Sequence, residues 1–335
     1  MTPPAAPSGS LSVGILDDFQ DVTRTIADWG RLPARVSVTI FNDHVDGDQL
    51  LPRLIPFDVL VITRERTSFP RHVIDRLPNL KLLVTTGARN LGIDMAACRE
   101  RGILVCGTET GSSPTAELAW GLILAVSRHI VEEDRALRSG KWQTTLGVSL
   151  ANKTLGLLGL GRIGSQVARI GLAFDMTVTA WSENLTPERA AEVGCVRVER
   201  SELFRRADVL SIHLLLSERT RGIVAGRELG SMKPSAILIN TARAALVDEA
   251  ALIDALRTGA IAGAGLDVYG QEPLPPDAPI RLAPNTVLTP HLGYVTRETY
   301  DVYYSQALED IEAWLTGQPI RIISDALSKD VESQG

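Results

Sequence analysis

The chain has 335 residues, a length that suggests about two domains, with 44% hydrophobic and 22% charged residues, which is ordinary globular usage. Its net charge of −6 and the lack of any long basic run argue against a nucleic-acid partner. Three scattered cysteines, Cys98, Cys106 and Cys195, exclude a disulfide framework and a zinc site, so they read as buried small apolar groups and no metal is expected.

Met1–Ser10 is rich in Pro, Ala and Ser and lacks the basic and apolar stretches of a secretory signal, so residues 1–10 read as a flexible tail, as do 331–335. Short β-rich apolar runs then alternate with helical patterns, the mark of parallel βαβ units. The first series of expected strands is Val13–Leu16, Val36–Phe41, Val59–Thr63, Leu80–Val84 and Ile103–Cys106. One long helix is expected over Pro114–Ser139, with Ser113 as its N-cap, Pro114 in its first turn and Gly140 just past its end. The longest apolar run, Leu118–Val126, is too short to span a bilayer, so no membrane contact is expected and the chain is placed in the cytoplasm. The second series is Thr154–Leu158, Thr177–Trp181, Val209–His213, Ala236–Asn240, Gly263–Val268 and Val287–Thr289. A last helix, Glu298–Gly317, repeats Val302, Leu308, Ile311 and Leu315 at helical spacing. The pattern predicts an α/β chain of two doubly wound parallel-sheet domains: 108–292 inserted between 11–107 and 293–330, with a ligand cleft between the two.

The segment 153–164 carries G-x-G-x-x-G at Gly159, Gly161 and Gly164, preceded by an apolar strand and followed by an apolar-periodic segment. In that context Gly159 makes the tight turn, Gly161 removes the Cβ that would block a pyrophosphate, and Gly164 lets the helix pack closely on the strand. N–H groups at the helix start favour phosphates, and Arg162 adds charge beside Ile163. An acid about 20 residues past the glycines would bind the ribose hydroxyls of NAD. Glu183 stands close to that place, Ser182 competes for it, and Glu183 reads equally well as a solvated surface acid.

Three polar segments follow later strands: Asn240–Arg243, Asp267–Pro273 and Thr289–Tyr294. The carboxylate of a 2-keto acid needs a fork of donors, which an arginine provides. Its carbonyl needs a proton as hydride arrives, which a histidine supplies near neutral pH, better when a carboxylate favours its charged form. Arg243, His291 and Glu272 fit these roles as the catalytic set.

At these residues the sequence resembles the D-isomer-specific 2-hydroxyacid dehydrogenase family, which includes D-3-phosphoglycerate dehydrogenases and hydroxypyruvate/glyoxylate reductases. The resemblance runs from about Val13 to about Ile320, through Gly-Leu-Gly-Arg-Ile-Gly at 159–164, Asn-Thr-Ala-Arg at 240–243, Val-Asp-Glu at 247–249, Gly-Leu-Asp-Val-Tyr at 265–269, Gln-Glu-Pro-Leu at 271–274 and Pro-His-Leu-Gly at 290–293. It implies a Rossmann NAD-binding domain inserted into a flavodoxin-like substrate domain, a small 2-keto or 2-hydroxy acid as partner, and a homodimer. Carried over, Arg243 is the substrate arginine, Glu272 the carboxylate paired with the acid/base His291, and Asp267 the acceptor for the nicotinamide carboxamide. Thr86–Asn90 resembles the loop whose amides, at Gly87, Ala88 and Arg89, hold the substrate carboxylate; Arg64 reaches a distal group, and Tyr294 joins the substrate residues. His213 and Leu214 belong to the cofactor pocket wall, with Thr220, Thr241 and Ala242 as further cofactor residues. Arg66 reads as a structural ion-pair partner, and His44, His72 and His129 as surface residues.

The sequence departs from the family at Ala244, where glycine is usual, and at Leu214–Leu216, where many members have a proline. NAD(H) is expected as the cofactor, with NADP use left open by Ser182. A formate or phosphite dehydrogenase of the same fold is the first rival, and Glu272 stands where formate enzymes carry glutamine. A nicotinamide-sensing corepressor that binds partners without turnover is the second.

Overall fold

A computed structural model of the chain describes residues 9–110 and 114–323. The described residues divide into two compact units, 9–110 with 296–323 in one and 114–295 in the other. The second unit therefore starts and stops a few residues beyond the limits 108–292 read from the sequence. Ser113, the expected N-cap, lies outside the described residues, as do residues 1–8 of the first tail and all of 331–335. Gly9 and Ser10, counted with the first tail, are tied down: the Gly9 carbonyl accepts from Arg35 Nη1 at 3.0 Å and the Ser10 hydroxyl donates to the Arg35 carbonyl at 3.4 Å.

The first unit holds a five-stranded sheet of β1 (Leu11–Ile15), β2 (Val36–Ile40), β3 (Val59–Ile62), β4 (Leu82–Thr85) and β5 (Leu104–Gly107). Its order is β2-β1-β3-β4-β5, and every pairing is parallel. This is the flavodoxin-like doubly wound order. β3 and β4 are buried along their whole length, which is why both read as unbroken aliphatic runs rather than alternating ones.

The second unit holds seven parallel strands: β6 (Thr154–Leu158), β7 (Thr177–Trp181), β8 (Val196–Arg197), β9 (Val209–Ile212), β10 (Ile237–Asn240), β11 (Gly263–Leu266) and β12 (Thr286–Leu288). The order β12-β11-β10-β9-β6-β7-β8 reverses between β6 and β9, the topological switch point of a Rossmann sheet. β8 was not expected. It is two residues long, exposed at Val196, and exists through its pairing with Thr179–Ala180 rather than through any apolar pattern of its own.

The long helix expected over Pro114–Ser139 is two helices, Thr115–Ser127 and Ile130–Arg138. The break is His129, whose φ of +53° is left-handed, and the Ser127 carbonyl freed there accepts from the Val148 amide at 2.8 Å. Gly140 follows Ser139 with a φ of +81°, the left-handed residue that ends the second helix. The last helix is Arg297–Leu315, capped by the Thr296 hydroxyl accepting from the Thr299 amide.

Candidate active site

In the second unit every expected functional residue lies at the C-terminal edge of its sheet, where open α/β sheets place their ligands. Gly159 leaves β6 with a φ of +104°, and a Cβ there would stand 2.8 Å from the His213 carbonyl group. Only glycine fits between β6 and β9 at that point. Gly164 sits in the first turn of the helix Arg162–Ala173, where a side chain would collide with the Gly159 carbonyl. Gly161 differs from both. A Cβ on it meets nothing within 4 Å, and it precedes a helix start with no side-chain cap. That open space beside uncapped N–H groups is the cradle a pyrophosphate needs. Arg162 is exposed at its rim and Ile163 half-buried behind it. The Thr241 hydroxyl, on the adjoining edge after β10, is buried without a hydrogen-bond partner in the chain. An open phosphate cradle and an orphaned buried hydroxyl both fit a bound dinucleotide.

His213 hydrogen-bonds Ser211 through Nε2 at 2.9 Å, and burial pushes its imidazole down to about 4, so it is a neutral wall. Leu214 is half-buried beside it. The Thr220 hydroxyl donates to the Leu215 carbonyl at 2.7 Å and accepts from the Ser217 amide at 2.8 Å, so it closes its own loop. After β7, Ser182 is half-buried and Glu183 exposed. Arg189 is paired with Glu192 on the helix Pro187–Ala191.

Arg243 follows β10 in extended conformation, with φ −147° and ψ 139°. The Asn240 side chain braces the turn: its amide donates to the Arg243 carbonyl and its oxygen accepts from the Ala242 amide, each at 3.0 Å. Arg243 Nη1 donates to the Ala242 carbonyl at 2.8 Å. Ala244 opens a 3-10 turn, Ala244–Leu246, a right-handed conformation that alanine adopts as readily as glycine. The departure from glycine therefore leaves the turn intact.

Glu272 Oε2 lies 2.6 Å from His291 Nδ1, and the Tyr269 amide donates to Glu272 Oε1 at 2.8 Å. Burial works to raise the Glu272 carboxyl, but His291, the Tyr269 amide and Arg243 hold it below its ordinary value. His291 has a φ of +53°, a left-handed position that its loop must impose. The clamp is Asp267, which is fully buried. Its Oδ1 accepts from the Leu292 amide at 2.7 Å and the Thr289 hydroxyl at 2.6 Å, and its Oδ2 accepts from the Gly293 amide at 2.8 Å. Burial raises the Asp267 carboxyl above its ordinary value against these donors and the nearby His291. The Thr115 hydroxyl donates to the Gly293 carbonyl at 2.8 Å, which ties the same loop to the helix Thr115–Ser127. Tyr294 packs edge-on to His291, ring centres 5.5 Å apart.

Asn240, Tyr269 and Thr289 had been given no role from the sequence. Each lies inside a motif already singled out, and each acts through a backbone contact that composition does not reveal. Tyr269 joins the two loops, since its hydroxyl donates to the Thr289 carbonyl at 2.9 Å.

The first unit holds the remaining expected substrate residues. Arg64, at φ +51°, lays its guanidinium over Gly87, and Asn90 donates both to the Arg64 carbonyl and to the Thr85 hydroxyl. The Gly87 amide donates to the Thr108 hydroxyl at 2.7 Å, while Ala88 and Arg89 are exposed. Arg66, read from the sequence as an ion-pair partner, donates to the Asp17 carbonyl at 2.7 Å and to the Tyr300 hydroxyl at 3.1 Å, with Phe19 beneath its guanidinium. His44 is a correction. It is not a surface residue but lies mostly buried, 2.8 Å from the buried Asp17 carboxylate, because that carboxylate requires a donor there. His72 is exposed and His129 half-exposed. The three cysteines are buried and unpaired, with burial pushing Cys98 and Cys106 up to about 12 and Cys195 up to about 11.

Residues 120–293 match the family model described as "D-isomer specific 2-hydroxyacid dehydrogenase, NAD binding domain". The chain is 40% identical to a glyoxylate reductase of Aeropyrum pernix, over 73% of this chain and 76% of that one. It is 36% identical to a D-3-phosphoglycerate dehydrogenase of Archaeoglobus fulgidus over 81% of its own length, but spans only 52% of that relative. Among solved structures, a phosphoglycerate oxidoreductase from Vibrio cholerae superposes with a TM-score of 0.86 at 38% identity, covering 91% of this chain and 98% of the other. Fold, cofactor domain and relatives agree: the chain belongs to the D-isomer-specific 2-hydroxyacid dehydrogenase family and is an NAD-dependent oxidoreductase of that family.

Proposed function

We propose that the chain reduces a small 2-keto acid such as glyoxylate or hydroxypyruvate, and oxidises the corresponding D-2-hydroxy acid, using Arg243, Glu272 and His291. The observation that carries the reading is the 2.6 Å contact between Glu272 and His291 on the same sheet edge as Arg243. Bound NADH supplies the hydride. Arg243 grips the substrate carboxylate through its planar fork. His291, oriented through Nδ1 by Glu272, presents Nε2 to the carbonyl oxygen and delivers the proton that the new hydroxyl needs; in oxidation it takes that proton back. Against the effect of burial, His291, the Tyr269 amide and Arg243 hold the Glu272 carboxyl below its ordinary value, so the group that orients the ring is a carboxylate at neutral pH.

Cofactor contacts in this proposal are Gly159, Gly161, Arg162, Ile163 and Gly164 at the phosphates, Ser182 and Glu183 at the ribose, His213, Leu214 and Thr220 as wall, and Thr241, Ala242, Asp267 and His291 toward the nicotinamide. Substrate contacts beyond Arg243 are Tyr294 and, from the first unit, Arg64, Gly87, Ala88 and Arg89. The names of the relatives support the choice of substrate class: glyoxylate reductases occur in both Aeropyrum pernix and Thermococcus litoralis at 40% and 36% identity. The test is NADH oxidation against glyoxylate, hydroxypyruvate, pyruvate and phenylpyruvate. Turnover with none of them rejects the reading.

A homodimer belongs to the same proposal. Leu137, Trp142 and Leu146 are 58%, 77% and 91% exposed within one short stretch, an apolar face suited to a second copy. The Glu133 carboxylate organises that stretch by accepting from the amides and hydroxyls of Thr144 and Thr145. Among the described residues no helix is long and apolar enough to cross a membrane, and a cytoplasmic site of action is part of the proposal.

A further inference from the structure

The first unit contains a carboxylate that the proposed chemistry does not use. Asp310, on the inner face of the helix Arg297–Leu315, has no exposed surface. Its Oδ1 accepts from Arg321 Nε at 2.9 Å, and its Oδ2 is buried without a partner. Among the described residues, the titratable groups that act on it are Glu309 on the helix itself, the neutral thiol of Cys106 on β5 and Arg321 on the segment Arg321–Ile323.

That segment is a strap on the edge of β5. Ile322 forms an antiparallel bridge with Cys106, the Gly107 amide donates to the Arg321 carbonyl at 3.0 Å, and the Ile323 amide donates to the Val105 carbonyl at 2.9 Å. Arg321 adopts a left-handed φ of +49°, and its Nη2 also reaches the Gln306 carbonyl and the Glu309 carboxylate, each at 2.8 Å. Beyond the strap, Gln306 accepts from the Glu109 amide at 2.7 Å, and Thr108 accepts from the Gly87 amide at the same distance. The strap therefore fixes the exit of β5 and, one bond further, the Gly87 turn.

We propose that Asp310 makes the strap Arg321–Ile323 a proton-linked clasp on the exit of β5, closed over the protonated carboxyl and loosened once it ionises. The sign follows from linkage. Burial, only partly offset by Arg321, pushes the Asp310 carboxyl up to about 7 while the strap is shut. With the strap open the carboxyl meets water and returns to the ordinary carboxylate range. The closed state binds the proton more tightly, so the clasp is firm at low pH and weakens as pH rises through about 7. The clasp bears on the loop proposed above for substrate but does not depend on that role, because the test reads backbone opening and not turnover.

The test is amide hydrogen exchange of the full chain at about pH 6 and about pH 8, corrected for the intrinsic pH dependence of exchange. In wild type, protection of the Gly107, Ile323 and Gly87 amides is expected to fall roughly tenfold at the higher pH. Asp310→Asn keeps the shape of the protonated carboxyl and cannot ionise, so its protection is expected to stay at the low-pH level at both. Protection that is the same at both pH values in wild type overturns the proposal, as does a fall that persists unchanged in Asp310→Asn. Independently of any variant, the ¹³C carboxyl resonance of Asp310 in the wild-type chain is expected to titrate near neutrality. A midpoint in the ordinary carboxylate range also overturns it.

Discussion

His291 Nδ1 and Glu272 Oε2 lie 2.6 Å apart, and the second Glu272 oxygen is already committed to the Tyr269 amide. The carboxylate therefore cannot rotate away, and it fixes the tautomer and the orientation of the ring. Replacing Glu272 by Gln keeps the shape and removes the charge. Turnover in reduction is expected to fall with the Michaelis constant little changed, because the ring is no longer held for proton delivery, while His291→Ala loses roughly 10²–10⁴-fold in turnover. Wild-type turnover for Glu272→Gln breaks the pairing even if His291 proves essential.

Arg243 is expected to act in both ground and transition states, because one fork holds the carboxylate throughout. Arg243→Ala should raise the Michaelis constant and lower the turnover together. Arg243→Lys should recover only part of either, since an ammonium lacks the paired donors. Steady-state kinetics on one keto acid decide the matter, and near-wild-type values for Arg243→Ala remove the residue from the site.

The glycines of the phosphate turn make separable predictions. Alanine at Gly161 points into open space, so thermal stability should hold while NADH affinity drops at least roughly tenfold, ~1.4 kcal/mol. Alanine at Gly164 meets the Gly159 backbone, so it should destabilise the fold itself by about 1–3 kcal/mol. Calorimetry with and without NADH separates the two effects. Equal melting losses for both variants would show that Gly161 does not face the cofactor.

Cofactor preference rests on Glu183, exposed just past β7. A carboxylate near a 2′-phosphate repels it, and the nearest downstream cation, Arg189, is engaged by Glu192. Wild type is expected to prefer NADH, and Glu183→Gln to move the ratio of catalytic efficiencies toward NADPH. A wild-type preference for NADPH would place Glu183 outside the ribose pocket.

Asp267 extends the same logic to the loop that carries His291. Three donors from Thr289, Leu292 and Gly293 converge on it. Asp267→Asn turns one acceptor into a donor facing an amide, so turnover and the pH profile should both change. If NADH binding alone weakens, Asp267 serves the cofactor and not the loop.

Much of this was legible because glycine, proline and chemistry-bearing residues sit at strand ends, where an α/β sheet has little choice of geometry. Gly159, Gly161 and Gly164 announced the tight turn after β6, and Glu272 and His291 each followed an aliphatic run. What escaped was set by contacts distant in sequence. The left-handed break at His129 depends on the chain returning at Val148, and β8 exists only against β7. His44 read as surface because nothing in its neighbourhood reveals that Asp17, at the end of β1, is buried and needs a donor. Asp267 was matched to the cofactor; that it also anchors the loop of His291, through the Leu292 and Gly293 amides, no local pattern shows.

The most direct test of the central claim is the stereochemistry of the product. Incubated with NADH and hydroxypyruvate, the chain is expected to oxidise NADH and yield D-glycerate, and His291→Ala to do neither at a comparable rate. Formation of the L-enantiomer, or a chain inert toward every 2-keto acid yet reducing NAD with formate or phosphite, would contradict the account.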